Sequence, residues 1–163
     1  MHYTYENMDW KLDYEKLRIY LSKALGVTVA YYFIGKTKQN EDIHRSLESY
    51  NYTLKLKEPS PHTTEEEYCP YCKKVITPEL YLNKSDCDSF MTLEIVSNRP
   101  IYDKAVIITS DGDFDDVVKM LVREDKLRLV LAPCKEGCSH LLKAAAGVKI
   151  AFIDDLKNEL EKK

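Results

Sequence analysis

The chain has 163 residues, 44% of them hydrophobic and 31% charged, with a formal net charge of −3. That length fits one domain with a sizeable core, and the slight acidity excludes a strongly basic nucleic-acid platform while leaving room for a local basic strip. No apolar run approaches the roughly 18 residues of a membrane span, and the first residues lack a signal-peptide core. The expectation is a cytoplasmic protein without membrane partners, and its five cysteines are then read as free thiols or metal ligands rather than a disulfide framework.

In chain order, His2 to Asn7 is aromatic and β-branched and reads as a strand entering a polar turn. Asp13 suits a helix N-cap, with Leu17, Tyr20, Leu21 and Leu25 at helical spacing and Gly26 as the stop. Val27 to Ile34 is a continuous apolar strand. Glu41 to Tyr50 predicts an amphipathic helix with Ile43, Leu47 and Tyr50 inward, and Tyr52 to Lys57 alternates as a strand near a sheet edge. From Glu58 to Leu82 the rhythm breaks: Pro59, Pro61, Pro70 and Pro78 mark a loop or small insertion, at about 59–82, holding Cys69 and Cys72. A helix follows, from about Ser85 to Val96.

Val106-Ile107-Ile108 is an apolar run that reads as a strand buried on both faces. It ends in Thr109-Ser110-Asp111-Gly112-Asp113-Phe114, after which Val117, Val118 and Leu121 recur at helical spacing. A strand at Leu127 to Leu131, a loop with Cys134 and Cys138, a helix near Leu141 to Ala146, a strand at Val148 to Ile153 and a charged terminal helix complete the chain. Strands separated by helices imply a mainly parallel sheet with right-handed crossovers, a three-layer α/β/α domain over residues 1–163. There is no glycine-rich phosphate fingerprint, which leaves a nucleotide-binding Rossmann reading little support.

Three acidic stations stand out. Glu6-Asn7 ends the first strand, Asp88 opens a helix, and Asp111 and Asp113 end the central strand. In an open α/β sheet the carboxyl ends of strands form the ligand-binding edge. Carboxylates gathered there repel one another unless a divalent cation neutralises them. Hard oxygen donors suit Mg²⁺ or Mn²⁺, and such a metal serves phosphoryl hydrolysis in nucleases and phosphatases.

Tyr5-Glu6-Asn7-Met8, then Lys84 to Asp88 with Met91 and Glu94, and then Thr109 to Phe114 resemble the signature blocks of the NYN domain family, in the family's order and across nearly the whole chain. Ser139-His140-Leu141-Leu142 resembles its short Ser-x-x-Leu helix start. The resemblance implies a PIN-like (Rossmannoid) fold and a metal-dependent ribonuclease acting on RNA phosphodiesters. Asn7, Asp88, Asp111 and Asp113 would surround Mg²⁺ or Mn²⁺, directly or through waters. The last block has Thr109 and Ser110 where the family has Ser and Gly. A sharper departure is Thr4, at a position where the family carries aspartate. A hydroxyl orients a water or a phosphate but brings no charge, so Thr4 is expected to weaken the site. The competing expectation is a catalytically silent module that binds RNA or protein.

Cys69-Pro70-Tyr71-Cys72 has the spacing of a zinc knuckle, and Cys134 and Cys138 are spaced within the range of a second ligand pair. A structural Cys₄ Zn²⁺ site is expected, with His62 or His140 as possible replacements for one thiolate; two unrelated loops of free thiols are the alternative. Lys36, Lys38, Arg45, Lys55, Lys57, Lys84 and Arg99 are candidate phosphate contacts. Tyr31, Tyr32, Tyr50, Tyr52, Tyr68, Tyr71 and Tyr81 are candidates for stacking on unpaired bases, with packing in and around the sheet the favoured role for Tyr31 and Tyr32. Trp10 either walls the acidic pocket or anchors the first helix, and a symmetric dimer would complete a basic surface.

Overall fold

The computed structural model describes residues 8–36, 41–58, 60–64, 67–77, 80–84 and 87–163. In chain order its elements are α1 (Tyr14–Lys23), β1 (Tyr31–Gly35), α2 (Glu41–Ser49), β2 (Thr53–Lys57), β3 (Ser60–Thr64), β4 (Glu67–Tyr68), β5 (Val75–Thr77), β6 (Leu80–Lys84), α3 (Cys87–Ser97), β7 (Ala105–Ile107), a 3-10 turn (Gly112–Phe114), α4 (Asp115–Arg123), β8 (Leu127–Ala132), α5 (His140–Ala146), β9 (Ile150–Phe152), a second 3-10 turn (Ile153–Leu156) and α6 (Lys157–Leu160). The chain divides into two compact units, residues 1–30 with 92–163, and residues 31–91. The strand expected at His2 to Asn7 lies outside the described residues.

In the first unit β7, β8 and β9 form a parallel sheet in that order. Central β8 is buried as its apolar run requires: Val130, Leu131 and Ala132 are fully buried, the pattern of a strand covered on both faces. Alternation along the strands sends Leu131, with Leu129, Val106, Ile108 and Ala151, into one cluster. That cluster also holds Met8, Trp10, Leu12, Leu17, Leu21, Ile153 and Leu160. The opposite parity carries Ile107 and Val130 toward the side where α4 and α5 pack together, and there Phe114, Val118, Leu121 and Leu142 are buried.

Local signals set the ends of α1. Asp13 Oδ1 accepts the N–H groups of Glu15 and Lys16 at 3.0 and 3.1 Å, satisfying two donors that an α-helix leaves unpaired. Gly26, at φ +66°, takes the chain out, its N–H donating to Ser22 O at 3.1 Å. The chain near Leu12 is stitched to the C-terminal tail: Leu12 bridges Glu161, Asp13 N–H donates to Leu160 O, and Lys162 N–H donates to Lys11 O, both at 2.8 Å.

The second unit pairs β1 and β2 in parallel, Tyr31 opposite Thr53 through Gly35 opposite Lys57. The strand begins four residues later than the apolar run from Val27 suggests. Of the inward set expected on α2, Leu47 is buried, but Ile43 is 47% exposed. The proline-rich stretch is more ordered than a loop: β3 pairs antiparallel with β6, and β4 with β5. Proline at Pro61 is compatible with an edge position, where no ladder donor is lost. Parallel ladders alternating with helices make this an α/β protein.

Candidate functional site

The chemistry of one turn is visible in its hydrogen bonds: β7 ends at Ile107, and the backbone then folds around the side chain of Asp111. Thr109 Oγ1 accepts the Asp111 N–H at 3.1 Å, and Asp111 Oδ1 accepts the Asp113 N–H at 3.0 Å. These are local side-chain turns of the kind aspartate and threonine favour. They present Asp111 and Asp113, both exposed, from a single turn at the carboxyl end of the strand.

Gly112 is needed between them for a reason outside the turn. A Cβ there would lie 2.6 Å from Ser139 Oγ, because the loop before α5 is tied down by Ser139 N–H donating to Ser110 O at 3.0 Å. Ser139 in turn caps α5, its Oγ accepting the Leu141 N–H at 3.3 Å.

The four acids of this block divide into two pairs. Lys119 binds Asp115 at 2.6 Å and Asp116 at 3.2 Å along α4. The hydrogen bond from Lys119 holds the Asp115 carboxyl below the usual carboxylate range, and the Lys119 ammonium is raised in return. Among the described residues no cation pairs with Asp111 or Asp113. Uncompensated hard oxygen donors fit a divalent cation of the Mg²⁺ type.

The same edge of the sheet carries residues that sequence reasoning missed. β8 ends into Pro133-Cys134 and β9 into Ile153-Asp154, so the first loop emerges beside β7, the strand of the Asp111 turn, and the second beside the first. One ligand atom each from Cys134, Glu136 and Asp154 lie within 4.8 Å of one another. Trp10 Nε1–H donates to Asp154 Oδ1 at 2.9 Å, and Asp154 N–H donates to Pro133 O at 3.0 Å. Trp10 is thus both a core residue and a partner of this edge. Asp154 was detectable as an acid directly after a strand, like Asp111, and Glu136 as an acid between two cysteines.

Cys134 and Cys138 are both buried. Cys134 Sγ accepts the Gly137 N–H at 3.3 Å, while Cys138 Sγ faces Ser139 O at 3.8 Å. Burial pushes the Cys138 thiol up, Lys143 opposes this and Cys134 adds to it.

In the second unit Cys69 and Cys72 form a tight knuckle between β4 and β5. Cys69 N–H donates to Lys74 O and Lys73 N–H to Cys69 O, each at 2.9 Å, with Lys73 at φ +56°. Backbone N–H groups of Cys72 and then Tyr71 lower the Cys69 thiol, with the Cys72 side chain adding to them. Asp88 stands exposed in the first turn of α3, also in this unit at its start. Thr4 and Asn7 lie outside the described residues; Met8, the next residue, is buried in the core cluster.

Several candidate phosphate contacts already have partners. Lys36 pairs with Glu58 at 2.7 Å, Arg45 with Asp42 at 2.5 Å and Arg99 with Glu124 at 2.9 Å. Lys55 lies 5.0 Å over the Tyr31 ring and Lys57 5.9 Å over Phe90. Tyr32 packs edge-on against Tyr52, whereas Tyr71, at the knuckle, is 95% exposed. Among the described residues no helix is long and apolar enough to cross a membrane.

Comparison with known proteins agrees with this architecture. No functionally curated protein matches the chain. A crystal structure of a protein of unknown function from Vibrio parahaemolyticus superposes with a TM-score of 0.70, covering 99% of this chain and 88% of that one at 19% identity, a likeness of fold. The family model described as the NYN domain matches residues 1–153. With nearly the whole length matched, the chain belongs to the NYN domain family, a PIN-like family that includes nucleases.

Proposed function

We propose that the protein is a divalent-metal-dependent ribonuclease that hydrolyses RNA phosphodiesters in the cytoplasm. The observation that carries this reading is the Asp111–Gly112–Asp113 turn, which offers two exposed carboxylates without a counter-ion among the described residues, at the carboxyl end of a parallel strand. Asp88, Asp111 and Asp113 are the proposed Mg²⁺ or Mn²⁺ ligands, with Asn7 positioning the ion or its water and Thr4 auxiliary. A cation held by these groups would supply water activation and neutralise charge on the phosphate. Asp111, with one carboxylate oxygen engaged by the Asp113 N–H, keeps its other oxygen for a ligand.

Tyr71, exposed at the knuckle, suits stacking on an unpaired base. Cys69 and Cys72 supply two thiolate ligands for a structural Zn²⁺, a role that the backbone donors to Cys69 favour.

The test is cleavage of end-labelled single-stranded RNA with added Mg²⁺ or Mn²⁺. The protein as it stands is compared with Thr4→Asp, Asp88→Asn, Asp111→Asn and Asp113→Asn. Cleavage lost in the three Asp→Asn variants and strengthened by Thr4→Asp is the expected result. If no variant cuts while RNA still binds, the protein is a silent binding module, the reading that Thr4 favours. Sedimentation of the same samples tests whether two copies associate.

A further inference from the structure

Cys134, Glu136 and Asp154 come from two loops at the carboxyl edge of the β7–β8–β9 sheet, and none is needed for the proposed ribonuclease chemistry. We infer that they form a separate site for a borderline-soft divalent transition metal, Zn²⁺ being the natural occupant. The site uses Cys134 Sγ and one oxygen each of Glu136 and Asp154, with solvent in the fourth position.

Three observations carry the assignment. The three donor atoms lie within 4.8 Å of one another. A four-coordinate zinc holds sulfur at about 2.3 Å and oxygen at about 2.0–2.2 Å, so closing around it asks only for modest side-chain rotation. Next, the donors are held by partners of the kind that surround metal ligands. Gly137 N–H points at Cys134 Sγ at 3.3 Å, and the indole N–H of Trp10 takes one oxygen of Asp154 at 2.9 Å, leaving the other oxygen for the ion. Finally, the burial is graded: Cys134 is buried, Asp154 half-buried and Glu136 exposed, so an ion can enter from the Glu136 side.

One thiolate with two carboxylates selects against Mg²⁺, which prefers an all-oxygen octahedron, and for Zn²⁺ or its spectroscopic substitute Co²⁺. Binding would release the Cys134 thiol proton to solvent. Cys138 stays outside the set because its sulfur faces the Ser139 carbonyl instead. The inference therefore removes Cys134 and Cys138 from a shared four-cysteine site with Cys69 and Cys72, and gives Cys134 a metal of its own.

The experiment is titration of the full chain with Co²⁺, read by the thiolate-to-cobalt charge-transfer band and by fluorescence of Trp10, the single tryptophan. In the Cys69→Ser/Cys72→Ser background, which removes the knuckle's own thiolates, the expected result is one Co²⁺ that produces the band and quenches Trp10, both preserved when Cys138→Ser is added. In that background both signals should vanish with Cys134→Ser. Because Cys134 is buried and that variant can fail to fold, the exposed Glu136→Gln decides: its affinity should fall by at least about tenfold, the scale of a lost metal-site partner. Trp10→Phe should weaken binding about 10–100-fold through loss of the Asp154 hydrogen bond. Unchanged affinity in Glu136→Gln, or signals lost in the Cys69→Ser/Cys72→Ser variant, would overturn the assignment, the latter in favour of a four-cysteine site. Addition of Mg²⁺ should leave both signals in place, separating this site from the proposed nuclease centre.

Discussion

Gly112→Ala probes how the two site-bearing loops are held together. The new Cβ would lie 2.6 Å from Ser139 Oγ and 3.3 Å from Ser139 Cβ, inside the roughly 3.5 Å at which nonbonded carbons rest. Gly112 does not use the left-handed backbone region, so the penalty is steric. Rotating Ser139 Oγ aside relieves the first contact but forfeits its cap on the Leu141 N–H, about 1 kcal/mol. The Cβ contact remains, and retreat of the loop strains the Ser139 N–H to Ser110 O bond, worth about 1 kcal/mol more. A destabilisation of about 1–3 kcal/mol is expected, or a fall in Tm of about 2–12 °C for a chain of this size. Thermal melts followed by circular dichroism measure it. Ser139→Gly removes both offending atoms, and glycine at an N-cap costs only a few tenths of a kcal/mol relative to serine. In that background Gly112→Ala should cost less than about 0.5 kcal/mol, so the double-mutant cycle reports the contact itself. The same penalty in both backgrounds, or none in either, would refute the steric argument.

Asp111→Asn should leave Tm nearly unchanged while abolishing metal-dependent cleavage, because the asparagine oxygen still accepts the Asp113 N–H; Asp111→Ala should lose both activity and about 1 kcal/mol of stability. A large drop in Tm for the asparagine variant would show that charge, and not the turn, holds the loop. Leu131→Ala, at a fully buried position between β7 and β9, should cost about 2–5 kcal/mol by urea unfolding, and a cost below 1 kcal/mol would mean the core is not packed as described. Lys104, then Lys149, hold the Asp125 carboxyl below its ordinary range. Its folded-state pKa being depressed, its contribution is present above the unfolded carboxylate pKa of about 3.9 and is lost as pH falls through the folded value. The difference in urea midpoint between the protein and Asp125→Asn, which tolerates the positive φ there equally well, should therefore shrink below about pH 4 and in high salt; a pH-independent difference would sink the ion-pair explanation.

Much of the architecture was written in local pattern. The Val106–Ile108 run announced a strand covered on both faces, where Ile107 is buried, and Leu127 to Leu131 announced the strand that β8 forms. Asp13, Gly26 and Ser139 marked helix ends because capping is a matter of a few adjacent atoms. The Asp111–Gly112–Asp113 turn was legible for the same reason, its hydrogen bonds all lying within five residues. Patterns without such local chemistry were less informative. The antiparallel ladders at Ser60–Thr64 and Leu80–Lys84 join residues some twenty positions apart, and prolines that punctuate a loop equally well border an edge strand.

Tertiary structure alone decided the rest. What excludes a side chain at Gly112 is Ser139, brought close by the loop that leaves β8. Trp10 and Asp154 are 144 positions apart, and only the parallel order β7–β8–β9 puts the end of β9 next to the Cys134 loop. The sequence by itself determined the strands of the β7–β8–β9 sheet, the caps that end the helices and the turn that carries the acids. Which distant side chains share an edge followed from strand order, a long-range property that no local spacing encodes.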